Sequence, residues 1–304
     1  MREGVRWKHR IEDWGLRLLA RPLGPLGWRG TQRLGAFLGS AGYRLVPIRV
    51  SVARANLTRA FGERLLAEEI ERILRATYLQ WGTTFLEVAR FGAMSPDEVR
   101  AVVRFDRPEV LDAVRAEGRG ALLITGHFGN FDLFGAAVAA SGYPLSVLVQ
   151  RQSNPLVESR LRASRERMGE RVIARGAGVR EILRALRRNE FVAIVGDQDA
   201  GSAGIFVDFF GRAASTAKGP ARIAYRSGAP IVFGVIERGE EGTHVARFEN
   251  PLWANPDRPE EEEVLRLMSA VSRMLEEAIR RRPDHYFWPH RRWKTAPSGE
   301  RKAP

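Results

Sequence analysis

The sequence predicts an α/β fold: a single domain with a mostly parallel central sheet flanked by helices, preceded by a helical N-terminal membrane-associating extension. Three observations predict it. From residue 101 onward, short apolar runs recur between stretches of helical period, the alternation of a parallel sheet covered on both faces. Residues 65–92 hold a long apolar stripe at helical spacing. The first 30 residues interleave tryptophan with basic side chains.

In chain order, Trp7, Trp14, Leu16, Leu18, Leu19 and Trp28 lie among Arg2, Arg6, Lys8, Arg10, Arg17, Arg21 and Arg29. This mixture suits a helix in a lipid headgroup layer, or a surface helix packed on its own domain. No run reaches the roughly 18 apolar residues of a spanning helix. The nearest, 34–48, is broken by Arg44, and Arg17 and Arg21 interrupt any secretory core. In 65–92 the stripe is Leu66, Ile70, Ile73, Leu74, Trp81, Phe85 and Val88. Ser95-Pro96 reads as an N-cap with a first-turn proline.

Strands are expected at 101–105, 120–125, 145–150, 191–196 and 230–236, with an antiparallel edge strand at 243–249. Helices are expected near 108–117, 130–141, 154–168, 178–189, 215–227 and 258–281. The chain therefore divides into a helical region at 1–100, an α/β core at 101–295 and a disordered tail at 296–304.

Composition removes several chemistries. With no cysteine, disulfides, zinc–thiolate sites, iron–sulfur clusters and a cysteine nucleophile are excluded. The net charge is +13, and only Lys8, Lys218, Lys294 and Lys302 of the 49 basic residues are lysine. Arginine grips phosphate bidentately, so this balance suits phosphorylated lipids and anionic membrane surfaces. Nucleic acid is not expected, because no reader motif is present and the basic residues are spread out. Gly176-Ala177-Gly178 lacks the context of a dinucleotide site.

The informative segment is GALLITGHFGNFDLFG at 120–135. A buried strand ends at Thr125, and Gly126 and Gly129 flank His127. Ligands gather at the carboxyl ends of such strands. Asn130 can cap the next helix and place Asp132 in its first turn, where a carboxylate can fix the His127 tautomer. Taken alone, a His-x4-Asp pair is a weak signal.

Four blocks together resemble the lipid A biosynthesis acyltransferase family, and more distantly the His-x4-Asp glycerolipid acyltransferases. They are GHFGNFD with His127 and Asp132; Arg151-Gln-Ser-Asn154-Pro155; Gly196-Asp197-Gln198-Asp199 running through Phe206, Phe209, Phe210 and Gly211 to Thr216; and the stretch from Tyr286 through Trp288, His290 and Trp293 to Lys294. Family members often carry glutamate where this chain has Asp132.

The resemblance implies a membrane-associated O-acyltransferase on the cytoplasmic face of the inner membrane. It would move a fatty acyl chain from an acyl thioester co-substrate, on acyl carrier protein or coenzyme A, to a hydroxyl of lipid A or its precursor. His127 would be the general base and Asp132 its orienting partner. No Gly-x-Ser-x-Gly elbow is present, so direct transfer without an acyl-enzyme, a cofactor or a metal is expected. Another glycolipid or aminolipid acceptor keeps the same chemistry. A non-catalytic basic membrane-binding protein is the reading from another class.

Oxyanion donors are sought at the Gly129 backbone and the Arg151 guanidinium, the latter suited equally to gripping an acceptor phosphate. Asn154 belongs to the same substrate-facing block. Asp197, Gln198 and Asp199 follow a buried strand and belong on the rim with His127, contacting substrate, a metal or loop backbone. Phe209 and Phe210 suit an acyl-groove wall, or core. Lys218 and Arg222 sit one turn apart and could meet a phosphate. Ten arginines between 158 and 190 offer a docking face for an acidic carrier, or a solvated helix face. The aromatic, basic tail from Tyr286 suits the membrane interface, or a strap packed on the domain.

Overall fold

The computed structural model describes residues 7–20, 23–174 and 178–297. Arg2, Arg6, Arg21, Arg175, Gly176 and the tail from 298 lie outside these residues.

Four helices come first: α1 (Trp7–Ala20), α2 (Leu23–Leu45), α3 (Val50–Phe61) and α4 (Ala67–Arg90). Gly27 has φ of 64° and breaks the helical path of α2, a conformation that glycine adopts without strain. α2 and α4 cross with their backbones touching: a Cβ on Gly35 would stand 2.6 Å from the Thr83 Cα, and one on Gly39 would overlap the Tyr78 carbonyl. Then follow α5 (Pro96–Val102), β1 (Val103–Asp106), α6 (Glu109–Ala116), β2 (Ala121–Thr125), α7 (Phe131–Ala140), β3 (Leu145–Val149), α8 (Pro155–Arg167), β4 (Glu170–Ala174), α9 (Gly178–Arg187) and β5 (Phe191–Val195). A hairpin, β6 (Ile205–Phe209) and β7 (Arg212–Thr216), precedes α10 (Gly219–Ser227), β8 (Ile231–Arg238), β9 (His244–Phe248) and α11 (Glu260–Arg281).

The sheet has seven strands in the order β1-β9-β8-β2-β5-β3-β4. Every neighbouring pair is parallel except β8 with β9. The apolar strands are buried on both faces, as uninterrupted runs require. Alternation sorts their side chains between two cores: Leu122 and Ile124 of β2 join α3, α4, α9, α10 and α11, while Ala121 and Leu123 join α5, α6 and α7.

The class is the one the sequence predicts, and three local details differ. Residues 101 and 102 belong to α5, whose capping box at Ser95 and Glu98 starts it, so β1 begins at Val103. β4 and the β6–β7 hairpin are additional strands. β9 is antiparallel to β8 as expected, but it pairs parallel with β1 on its other side and is interior.

Two registers position the site. β2 and β5 pair through to Thr125↔Val195, so the segments after them leave the sheet side by side. β3 and β5, by contrast, pair only from Leu145↔Phe191 to Val147↔Ala193. Beyond that point they part, and Leu148, Val149, Ile194 and Val195 line the cleft that opens between them.

Candidate active site

His127 lies two residues past Thr125 and Asp197 two residues past Val195, so the β2–β5 register places them abreast. His127 Nδ1 is 2.7 Å from Asp197 Oδ1, and the carboxylate is buried. The Phe287 amide donates to the His127 carbonyl and that of Gly129 to the His285 carbonyl, both bonds pinning the loop. Phe131 meets the imidazole edge-on at 5.0 Å.

A carboxylate only accepts, so Nδ1 carries a proton, and in the neutral imidazole Nε2 then holds the lone pair. Gln198 Nε2 lies 3.3 Å from that nitrogen. Burial pulls the His127 pKa down, but the Asp197 charge outweighs it, Asp132 adds a smaller push, and the net shift is upward. Burial opposes ionisation of Asp197, yet His127 beside it holds the carboxyl below its ordinary range.

Asp132 stands in the first turn of α7, below the Asn130 cap, which accepts from the Leu133 amide at 2.9 Å. Its hydrogen bond goes to Arg165 Nη2 at 2.7 Å. The bond to His127 expected of Asp132 is thus made by Asp197 instead. The physical reason is the strand register, which brings the β5 loop to Nδ1 while α8 presents a guanidinium to Asp132.

His127, Asp132, Arg165 and Gln198 face one cavity of about 660 Å³. Its walls are chiefly apolar, from Phe131, Phe134, Leu148, Leu161, Ile182 and Ile223 among others. A base at the mouth of an apolar cleft can deprotonate a hydroxyl while a long hydrocarbon lies in the cleft. Among the described residues no group of three or more histidine and carboxylate side chains could hold a metal ion.

Of the remaining residues expected at the site, only Asp199 lies on the cavity lining. The Gly129 N–H is taken by His285, which removes it as an oxyanion donor; the residue sits at φ 57° with no room for a Cβ against Ile236. Arg151 is exposed, and its neighbours Gln150 and Gln152 line the cavity in its place. Asn154 is the buried cap of α8, accepting from the Leu156 amide at 3.0 Å and donating to the His9 carbonyl of α1 at 3.0 Å. Asp199 lines the cavity, but its carboxylate accepts from the Gly201 amide and from both the amide and hydroxyl of Thr295.

Phe209 and Phe210 are core, packed on Tyr286, Trp288 and Trp293. Phe210 and Gly211 both have positive φ and form the two-residue hairpin turn. Arg222 pairs with Glu260 at 3.2 Å, and Lys218 precedes α10 outside the cavity lining. Tyr286 and Trp288 are buried, so the tail from Tyr286 is a strap on the domain. Buried Arg292 donates to Thr216 Oγ1 at 2.6 Å and lends its positive charge to Asp197.

Sequence reasoning missed Arg165 and Glu170 as site residues. Both belong to the arginine-rich stretch from 158 to 190, read as a docking face or a solvated helix face, and no local spacing separates them from their neighbours.

A half-buried histidine on a buried carboxylate thus stands at the carboxyl rim of a mostly parallel sheet and opens on an apolar cleft, in a protein of the α/β class. Its sequence places it more closely. The sequence model described as bacterial lipid A biosynthesis acyltransferase matches residues 11–295. The chain belongs to that family and is an acyltransferase.

It is 26% identical over 269 residues to the lipid A biosynthesis palmitoleoyltransferase of Escherichia coli (strain K12), covering 88% of this chain and 86% of that one. It is 28% identical over 277 residues to the lipid A biosynthesis lauroyltransferase of the same strain, with the same coverage. The phosphatidylinositol mannoside acyltransferase of Mycolicibacterium smegmatis is 29% identical over 184 residues, 59% of this chain and 60% of that one.

Proposed function

We propose that this chain transfers a fatty acyl group from an acyl thioester to a hydroxyl of lipid A or its precursor, at the inner face of the cytoplasmic membrane. One observation carries the chemistry: His127, its Nδ1 proton fixed by Asp197, turns a basic Nε2 toward the apolar cavity. Nε2 takes the proton of the acceptor hydroxyl as its oxygen attacks the thioester carbonyl. The tetrahedral intermediate collapses, the C–S bond breaks, and the thiolate leaves with the proton returned from His127. An ester and a free thiol result. Asp197 steadies the imidazolium, and Asp132 adds negative charge from its place on Arg165. The Arg165 guanidinium and Gln198 amide, both on the cavity wall, are the donors at hand for the developing oxyanion.

Acyl carrier protein is the favoured donor, since basic α8 and α9 lie beside the cavity and that carrier is acidic. The membrane reading rests on Trp7, Ile11, Trp14, Phe37, Leu45 and Ile48, all exposed. Among the described residues no helix is long and apolar enough to cross a membrane, so these side chains suit the interfacial layer.

Mass spectrometry of host lipids with the gene present, deleted and restored tests the function. Loss of one acyl chain from lipid A on deletion, with recovery on restoration, is expected. Unchanged lipids in all strains would overturn it. An acyl group lost from another glycolipid would move the acceptor and keep the chemistry; the likeness to a phosphatidylinositol mannoside acyltransferase favours that second reading.

A further inference from the structure

Past His127, Asp132 and Arg165, the same cavity meets another carboxyl. Glu170 opens β4, is buried, and lines the cleft. Its Oε2 has no hydrogen-bond partner. The neighbouring cation is Arg165, whose Nε stays 3.9 Å away while Nη2 holds Asp132.

The fold makes room for this carboxyl: a Cβ on Gly135 would come within 2.7 Å of Glu170 Oε1. Gly135 follows Asp132 by three residues of α7, a step of roughly 4–5 Å along the helix. Glu170 therefore sits about one turn deeper than the reacting groups. Around it the wall is apolar, with Phe134, Val147, Leu148 and Ile194. Burial pushes the Glu170 pKa up to about 8, with Arg165 opposing the rise and Asp132 adding to it. The group is then a neutral acid at pH 7, with one O–H donor and acceptor capacity to spare.

A buried polar atom without a partner is unfavourable until something entering the cavity supplies one. A plain methylene chain leaves Oε2 unsatisfied, whereas a hydroxyl both accepts from the acid and donates to it. Resting on the acyltransferase reading above, we propose that Glu170 is a specificity residue that hydrogen-bonds a hydroxyl on the donated fatty chain. The hydroxyl lies near the carbonyl end, because Glu170 is one helical turn from Asp132 rather than remote from it. Sites built to bond a hydroxyl discriminate strongly against analogues lacking one.

The test is a competition. The full-length enzyme in detergent receives equal amounts of dodecanoyl and 3-hydroxydodecanoyl acyl carrier protein with one lipid acceptor, and products are counted by mass spectrometry. The wild type is expected to favour the hydroxylated chain by about tenfold or more. Glu170→Gln, which still donates and accepts, should keep a preference, and Glu170→Leu should bring the ratio to one or below. A wild-type ratio at or below one overturns the proposal, and it needs no variant to fold. A ratio unmoved in a folded Glu170→Leu overturns it as well. No transfer of either chain by the wild type would instead overturn the acyltransferase reading itself.

Discussion

At the scale of single residues, the site depends on which carboxylate touches His127. Because Asp197 raises the His127 pKa, the base form prevails only above the ordinary histidine value of about 6.5. The acid limb of kcat/KM should accordingly lie above that value. Asp197→Asn should move the limb to lower pH and reduce kcat by about 10²-fold or more, read from pH–rate profiles of both proteins. A limb that stays in place would show that Asp197 does not govern the histidine. The pair also shapes stability. The His127 contribution is full below its unfolded pKa and is lost as pH rises through the raised folded value; the Asp197 contribution is lost as pH falls through its lowered one. In the sequence, His127 and Asp132 stood out because glycines and a strand end surround them. Asp197 stood out only as part of an acidic cluster, since strand adjacency is invisible in a linear string. Glu170 gave no signal, because glutamate beside arginine reads as solvated surface until the fold buries it.

At the scale of elements, the His127 loop is held from below by a buried network. Asn130 caps α7 and donates to Glu87 Oε2 at 2.9 Å, while Gln32 of α2 and Arg238 of β8 also donate to Glu87. Burial opposes the Glu87 charge, but Arg238 beside it keeps the carboxyl ionised, below its ordinary range. Glu87→Ala would take the carboxylate from the part-buried Arg238 guanidinium and should cost about 3–5 kcal/mol in chemical denaturation. Asn130→Ala removes a cap and a donor together and should cost about 1–2 kcal/mol. Losses below about 0.5 kcal/mol in both would contradict the network's role. The long stripe at 65–92 and the apolar strands were legible because period and burial agree there. β4 was not, since its ends are Glu170 and Ala174 around Arg171, too polar for a buried run. The hairpin escaped because its turn uses Phe210-Gly211 in place of an asparagine or aspartate before the glycine.

At the scale of the whole molecule, the proposed attachment to an anionic membrane draws on a net charge of +13 and on the exposed aromatics of α1. Binding to vesicles rich in anionic lipid should weaken several-fold between 50 mM and 500 mM salt, as the Debye length shortens. Trp7→Ala with Trp14→Ala should lower affinity at all salt concentrations; sedimentation with vesicles checks both. The α/β class was legible from alternation alone, whereas the cleft was not, because it arises where β3 and β5 part company in space. The strap from Tyr286 was left between membrane and domain, since tryptophan and arginine suit either setting until burial is known. The most direct measurement compares wild type and His127→Ala in acyl transfer from an acyl carrier protein thioester to a lipid A precursor, with folding checked by thermal melt. The rate should fall by at least about 10³-fold in a variant that melts as the wild type does. Transfer by folded His127→Ala at the wild-type rate would contradict the account.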